Sequence, residues 1–150
     1  VGVVRPAPVV PEEFDKRLDE GIATKELNFT CGDTDIPVVK RLYREAFEAA
    51  FDGAIQLDFS QLGWKDEQMK TLAAALVRTR ERRGLAQCKK VDVRDNPCSK
   101  AGLRALAEAL KGTTCEIWAK GTGCCKAGHE AVRKALRDTG VKVVLDKTDL

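Results

Sequence analysis

Aromatic residues are scarce in this chain of 150 residues, at 5% of the total against 43% hydrophobic residues overall. The core must therefore be built mostly from aliphatic side chains and alanine. No apolar run approaches the roughly 18 residues that a membrane-spanning helix needs. The first residue is Val1 rather than Met, and the opening segment lacks the charged-then-apolar pattern of a secretory signal. We therefore expect a fragment, or a mature product that has lost a leader.

The excess of basic over acidic residues is also small, since 26 basic and 23 acidic residues leave a net charge of +3. A value this small does not by itself imply nucleic acid or an acidic membrane as a partner. Charged residues make up 33% of the chain, which is an ordinary balance for a globular protein of single-domain size.

The single histidine, His129, limits the chemistry that the chain can perform. Nucleophilic catalysis needs a base near the nucleophile, but His129 takes the place of a leucine on an apolar helix stripe. Cys124, Cys125 and His129 would supply only three of the four ligands of a zinc site, without a standard spacing. The segment GTTCEIWAKGTG (112–123) has neither a P-loop lysine nor a dinucleotide-binding pattern. We therefore expect no enzyme, no catalytic residue, no metal site and no cofactor.

What the sequence does contain is an internal repeat. Residues 97–117 (PCSKAGLRALAEALKGTTCEI) and 123–143 (GCCKAGHEAVRKALRDTGVKV) are identical at 8 of 21 positions, with an offset of 26. A duplication explains this identity. Internal repeats of 20 to 50 residues are typical of proteins built by stacking one structural unit.

Short runs in which apolar and polar residues alternate recur along the chain, as half-buried strands require. They are ELNFT (26–30), QLDFS (56–60), KVDVR (90–94), EIWAK (116–120) and KVVLD (142–146). Taking Leu27, Leu57, Val91, Ile117 and Val143 as equivalent gives spacings of 30, 34, 26 and 26 residues. The sequence therefore predicts five short strands in equivalent positions.

Each of the first four runs is followed by apolar residues spaced three or four apart, as on one face of a helix. These residues are Val38, Val39, Leu42, Tyr43, Ala46, Phe47, Ala50 and Phe51, then Met69, Leu72, Ala73 and Leu76, then Leu103, Leu106, Ala107 and Leu110, and finally Val132, Ala135 and Leu136. Alternating strands and helices predict an α/β fold, with a parallel sheet of about five strands and helices along one side.

The third unit fits the pattern L-x-L-x-x-N-x-(L/C)-x-x-x-G-(L)-x-x-L-x-x-x-L. Its matching residues are Val91, Val93, Asn96, Cys98, Gly102, Leu103, Leu106 and Leu110. Over residues 25–147 the chain therefore resembles the ribonuclease-inhibitor type of leucine-rich repeat. In the other units the asparagine is replaced, by Leu62 in the second and by Thr122 in the fourth. We expect Asn96 to satisfy backbone groups at the turn that leaves the strand.

The resemblance implies a short leucine-rich-repeat solenoid, in which stacked units complete a core that one unit cannot bury alone. We place this domain at residues 25–150. Residues 1–24 are predicted to form an extended Pro/Val-rich arm followed by a short cap helix, beginning at about Glu12. The arm is interpreted either as a frayed terminus or as a segment laid on a partner.

In such a solenoid the outward side chains of the strands form columns that would face a partner. We predict a partner-binding site made of Asn28, Asp58, Asp92, Arg94, Trp118 and Lys120. Trp and Arg are the side chains that most often dominate protein interfaces. The alternative for Trp118 is a structural role, covering the C-terminal edge of the stack.

Two further clusters of residues admit alternative interpretations. The basic stretch from Arg78 to Lys90 is either a solvated helix end or a surface for an acidic partner or anionic headgroups. Cys98 and Cys124 are equivalent residues one repeat apart, so we expect them to be stacked neighbours in the core, as thiols rather than as a disulfide. Cys88 and Cys115 precede successive strands, and the same expectation applies to them.

The sequence thus predicts a non-catalytic scaffold that binds a protein through its strand face and N-terminal arm. The alternative is a small accessory structural subunit of a large organellar membrane complex, photosynthetic or respiratory, with a part in complex assembly. Neither interpretation requires nucleic acid or a small-molecule substrate, and membrane contact would be indirect or peripheral. The pattern of cysteines favours an intracellular, reducing compartment, and a lost leader would fit a chloroplast or mitochondrion.

Overall fold

The computed structural model describes residues 6–23, 32–82 and 84–146. The chain is a mixed α/β protein whose helices and strands alternate after the first two helices. In chain order the elements are α1 (Pro11–Ala23), α2 (Gly32–Phe51), β1 (Gln56–Asp58), α3 (Asp66–Glu81), β2 (Lys90–Asp92), α4 (Lys100–Leu110), β3 (Glu116–Trp118), α5 (His129–Leu136) and β4 (Val143–Val144). Two short 3-10 turns, Gly123–Ala127 and Arg137–Thr139, flank α5.

The four strands form one parallel sheet in the order β1-β2-β3-β4. Leu57 pairs with Val91, Val91 with Ile117, and Ile117 with Val143. The residues taken as equivalent in the sequence therefore share one register, and the predicted parallel arrangement is confirmed for these four strands. The first predicted strand, ELNFT (26–30), lies outside the described residues.

The core lies between the helices and one face of the sheet. It joins Leu57, Val91 and Ile117 to buried side chains from each of α2 to α5. Strand residues alternate between the two faces of a sheet, so the neighbours of these three residues point away from the helices. The apolar positions predicted for α3 and α4 are all buried, as the helical spacing requires.

Helix α2 departs from the predicted burial. Only Phe47 and Phe51 enter the core, whereas Val38 is 40% exposed and Leu42 is 54% exposed. The reason is the position of α2 beside α1, so that only its last turns reach the other helices of the core. The stripe predicted on this helix is therefore apolar along its whole length but covered at one end.

The turn after each strand is repeated in three successive units. Gln61, Asp95 and Gly121 occupy equivalent positions and have φ angles of 55°, 58° and 73°. These left-handed conformations redirect the chain from the strand toward the next helix, and they cost energy for residues other than glycine. The conformational free energy of these turns must be offset by hydrogen bonds nearby.

Asn96 supplies these bonds in the third unit, and it is 1% exposed. Its Oδ1 accepts hydrogen bonds from the backbone N–H groups of Leu62 and Trp64, both at 3.0 Å. Its Nδ2 donates to the carbonyls of Phe59 at 2.8 Å and Val93 at 2.9 Å. The predicted role of Asn96 is confirmed, and the side chain joins two neighbouring turns.

The N-terminal segment folds onto the chain itself. Residues 6–10 have no regular secondary structure, and the Tyr43 hydroxyl donates a 2.6 Å hydrogen bond to the Val9 carbonyl. The rings of Phe14 and Tyr43 are stacked, with centroids 3.9 Å apart. The predicted cap helix lies within α1, and the described part of the predicted arm packs against α2 and the core.

Two arginines at the C-terminal end of α3, Arg78 and Arg82, form ion pairs with α1 and α2. Arg78 pairs with Glu12 at 3.0 Å and with Glu48 at 3.3 Å. Arg82 pairs with Glu48 and with Asp52, at 3.1 Å and 3.2 Å. This end of the predicted basic stretch is therefore neither simply solvated nor left for a partner, because its charges bind the chain's own carboxylates.

Candidate functional site

The candidate site is the face of the sheet that points away from the helices. Asp58, Asp92 and Trp118 are paired across β1, β2 and β3 and form one row. Gln56, Lys90 and Glu116 form the parallel row at the beginning of the strands. Three of the predicted site residues are thus placed side by side, and Asn28 lies outside the described residues.

Asp92 is the centre of a charge network on this face. The Arg94 guanidinium donates to both carboxylate oxygens, from Nε to Oδ1 at 2.9 Å and from Nη2 to Oδ2 at 2.8 Å. Such bidentate pairs are the strong form of the Arg–carboxylate interaction. The hydrogen bonds that Arg94 donates to Asp92 raise the pKa of Arg94 above its ordinary value. Asp92 lies on the predicted face but is only 3% exposed, with its carboxylate bonded to Arg94. Its part in binding a partner stays a prediction.

Trp118 is half-buried and is fixed by its neighbours. The Lys90 ammonium lies 3.8 Å from the centre of the indole ring, and the Arg94 guanidinium carbon lies 5.8 Å from it. The indole Nε1 donates to Glu116 Oε2 at 3.2 Å, and Glu116 also pairs with Lys142 at 3.4 Å. Cations near an aromatic ring are attracted to its π-system. The indole is therefore held in one orientation on the face of the sheet.

Asp58 and Lys120 mark the edge of the site at the end of the strands. Asp58 accepts hydrogen bonds from the backbone N–H of Ser60 at 3.0 Å and from its hydroxyl at 2.7 Å. These bonds lower the pKa of the Asp58 carboxyl. Lys120 is exposed in the turn that follows β3. Both side chains remain accessible, in contrast to Asp92.

A depression of about 670 Å³ opens beside Trp118, at the beginning of the strands. It is lined by Ile55, Gln56, Lys89, Lys90, Thr114, Glu116 and Trp118. Ile55 is 61% exposed, which is costly for a large aliphatic side chain on an otherwise polar face. Ile55 was not among the predicted site residues. It lies two residues before the core-facing Leu57, so strand alternation predicts burial for Ile55 and gives no signal of its exposure.

The described cysteines lie in the core or pack against it, rather than in the site. The backbone N–H of Cys124 donates to the Cys98 carbonyl at 3.0 Å, as expected for stacked neighbours. Burial raises the pKa of the Cys98 thiol to about 12. The Cys115 thiol contacts the Cys88 carbonyl at 2.8 Å. All five cysteines from Cys88 onward are free thiols, and Cys31 lies outside the described residues.

His129 begins α5 and is partly buried, as predicted. Its Nδ1 lies 2.9 Å from Asp146 Oδ2, and Arg133 lies 3.8 Å from the same oxygen. Within residues 6–23, 32–82 and 84–146, no group of three His, Cys, Asp or Glu side chains is arranged to hold a metal ion. The histidine therefore joins the last helix to the end of the last strand.

Comparisons with protein-family models, with curated proteins and with solved structures found no match for this chain. Among the helices that the structure describes, none is both long and apolar enough to cross a membrane. The class of protein is therefore given by the geometry alone, as a mixed α/β chain with a four-stranded parallel sheet.

Proposed function

We propose that this chain is a short leucine-rich-repeat solenoid that binds another protein through the open face of its sheet. The support for the solenoid is the repetition of one unit in one register, with equivalent turns at Gln61, Asp95 and Gly121. A stack of this kind presents successive strands side by side, and solenoids use such extended surfaces for binding.

The observation that carries the binding proposal is the fixed indole of Trp118. An aromatic side chain that is already held by Lys90, Arg94 and Glu116 loses little conformational freedom when a partner covers it. Trp and Arg are enriched among residues that dominate interfaces. The proposed role of the face is therefore recognition, with Trp118 at its centre and without a catalysed reaction.

Site-specific photo-crosslinking tests this proposal. Benzoylphenylalanine replaces Lys120 on the strand face in one variant and Lys70 on the exposed side of α3 in another, and each is incubated in an extract of the source cells. We expect a discrete crosslinked product only from position 120. Trp118→Ala should abolish that product, whereas Leu42→Ala, a change at an exposed apolar side chain on α2, should leave it intact.

Two outcomes would contradict the proposal. One is the same set of products from both positions, because the strand face would then have no selectivity. The other is a product at position 120 that is equally abundant with and without Trp118. Circular dichroism of each variant confirms that the comparison is made between folded proteins.

A second candidate function is that of an accessory subunit in a large organellar complex. The observation that favours it is the apolar side of α2, where Val38 and Leu42 stay exposed. Exposed apolar side chains on one helix indicate a surface that another protein covers. Size-exclusion chromatography of the native protein beside the recombinant chain tests this candidate. A permanent subunit would elute far above 16.4 kDa only in the native sample.

A further inference from the structure

We infer that the depression beside Trp118 receives an acidic, extended peptide segment of the partner protein. This inference rests on the proposed function, since it names the chemistry of what the strand face binds. It follows from which charges on the face are already neutralised and which are not.

The acidic side chains beside the depression, Asp92 and Glu116, are already bonded to cations within the chain, whereas Asp58 lies at the other end of the strands and is bonded only to Ser60. Asp92 receives both donors of Arg94. Glu116 accepts from the Trp118 indole and pairs with Lys142. A basic partner would have to compete with these existing bonds, and breaking a partly buried charge pair is costly.

The lysines of the face are less completely neutralised. Lys90 lies over the Trp118 ring and only 3.9 Å from Asp92, whose oxygens are taken by Arg94. Among the described carboxylates, none forms an ion pair with Lys89, which lines the depression. The charge left for a partner at the depression is therefore positive, and complementary charge is what selects a partner and its orientation.

The shape of the depression fits an extended chain. Its lining comes from the beginnings of three adjacent strands, at residues 55–56, 89–90 and 114–116. Neighbouring strands lie about 4.8 Å apart, so three strands span about 10 Å, which is the length of about three extended residues. The exposed Ile55 and the Trp118 ring lie among the lysines. The segment should therefore alternate carboxylates with apolar side chains.

The test is selection from a random octapeptide library displayed on phage, with the wild-type chain as bait. Selected peptides are then synthesised with a fluorescein label, and their dissociation constants are measured by fluorescence anisotropy. We expect peptides rich in Asp and Glu interleaved with aliphatic residues. Lys89→Ser and Lys90→Gln should each weaken binding about fivefold, whereas Lys70→Ser, the matched change on exposed α3, should not.

Salt provides a second measurement. Raising NaCl from about 0.05 M to about 0.5 M should weaken binding of the acidic peptides at least severalfold, because it screens exposed charges. A labelled single-stranded oligonucleotide and inorganic phosphate are the competing anions. If either displaces the peptides at equal concentration, the site recognises negative charge in general and the peptide inference is overturned.

The outcomes separate this inference from the proposed function. Peptides that require Trp118 but show no acidic excess, and that bind Lys89→Ser and Lys90→Gln as tightly as wild type, would overturn the acidic segment and leave the strand face as a binding surface. If none of the selected peptides requires Trp118, the proposed binding face itself is wrong.

Discussion

Replacement of Asn96 by alanine should be among the most destabilising single changes in this chain. The side chain serves two turns at once, since it accepts from two backbone N–H groups of the second unit and donates to one carbonyl of the second unit and two of the third. Alanine removes all five bonds without moving the backbone groups that made them. The cost is therefore set by how many of those groups water can reach.

The magnitude can be worked from the burial around Asn96. Trp64 and Val93 are fully buried, whereas Leu62 and Phe59 are half-buried and lie nearer to solvent. A buried backbone group that loses its partner costs about 1–3 kcal/mol. Two such groups give a loss of about 4 kcal/mol in the free energy of unfolding, from a total of roughly 5–15 kcal/mol for a typical domain.

Urea unfolding followed by far-UV circular dichroism measures this loss as a lower midpoint with an unchanged slope. The matched control is Thr122→Val, because Thr122 takes the place of the asparagine in the next unit. Its hydroxyl is bonded to the Ala119 carbonyl at 2.8 Å and to the weakly bonding Cys124 thiol at 2.9 Å, both within its own unit, so we expect a loss of only about 1 kcal/mol. Equal losses for the two variants would refute the reasoning that Asn96 joins two turns.

Three further changes have defined outcomes. Arg78→Gln should speed amide hydrogen exchange in α1 about tenfold and leave α4 unaffected, because it removes the ion pairs that hold α1 and α2 on α3. Burial raises the pKa of Cys98 from 9.0 to about 12. The contribution of this thiol to the free energy of unfolding is therefore complete below pH 9 and falls by at most about 1.4 kcal/mol per pH unit between pH 9 and pH 12. In urea titrations over this pH range, the free energy of unfolding of Cys98→Ala should decline less steeply than that of the wild type. Gly121→Ala should lower the free energy of unfolding by about 1 kcal/mol or more, because φ is +73° and the new Cβ would collide with the Asp95 carboxylate. In the control Gly53→Ala the new Cβ meets no neighbouring atom, so this change should be nearly neutral in the same urea titration.

The register of the sheet could be predicted from the sequence, and the burial of α2 could not. A 26-residue period fixes which residues are equivalent, so the pairing of Val91 with Ile117 and of Ile117 with Val143 follows directly. Helical spacing indicates which side of a helix is apolar, but not whether another element covers that side. Leu42 therefore looked like a core residue although it is 54% exposed.

Ion pairs between residues far apart in the chain could not be predicted from the sequence either. Arg78 was expected to be solvated or to bind a partner, because its own carboxylates lie far away along the chain. Glu12 is 66 residues distant and Glu48 is 30 residues distant. Asp92 and Arg94 are only two residues apart, and alternation along the strand predicts that both face outward and are available to a partner. In the structure the Arg94 guanidinium binds the Asp92 carboxylate, and Asp92 is left only 3% exposed.

The proposed binding face depends on the same register that Asn96 stabilises. Shifting β3 by one residue would exchange Ile117 and Trp118 between the two faces of the sheet, because side chains alternate with a period of two. The indole would then enter the core, and the contacts that Lys90 and Arg94 make with it would be lost. Asn96 joins the turns that follow β1 and β2, and so holds Arg94 in place beside the third strand. The Asn96→Asp variant keeps the shape of the side chain but turns the Nδ2 donor into an acceptor that faces three carbonyls. It should therefore weaken binding at the strand face before it unfolds the chain. Protonation of the carboxyl restores one donor, so this defect should be smaller at acidic pH.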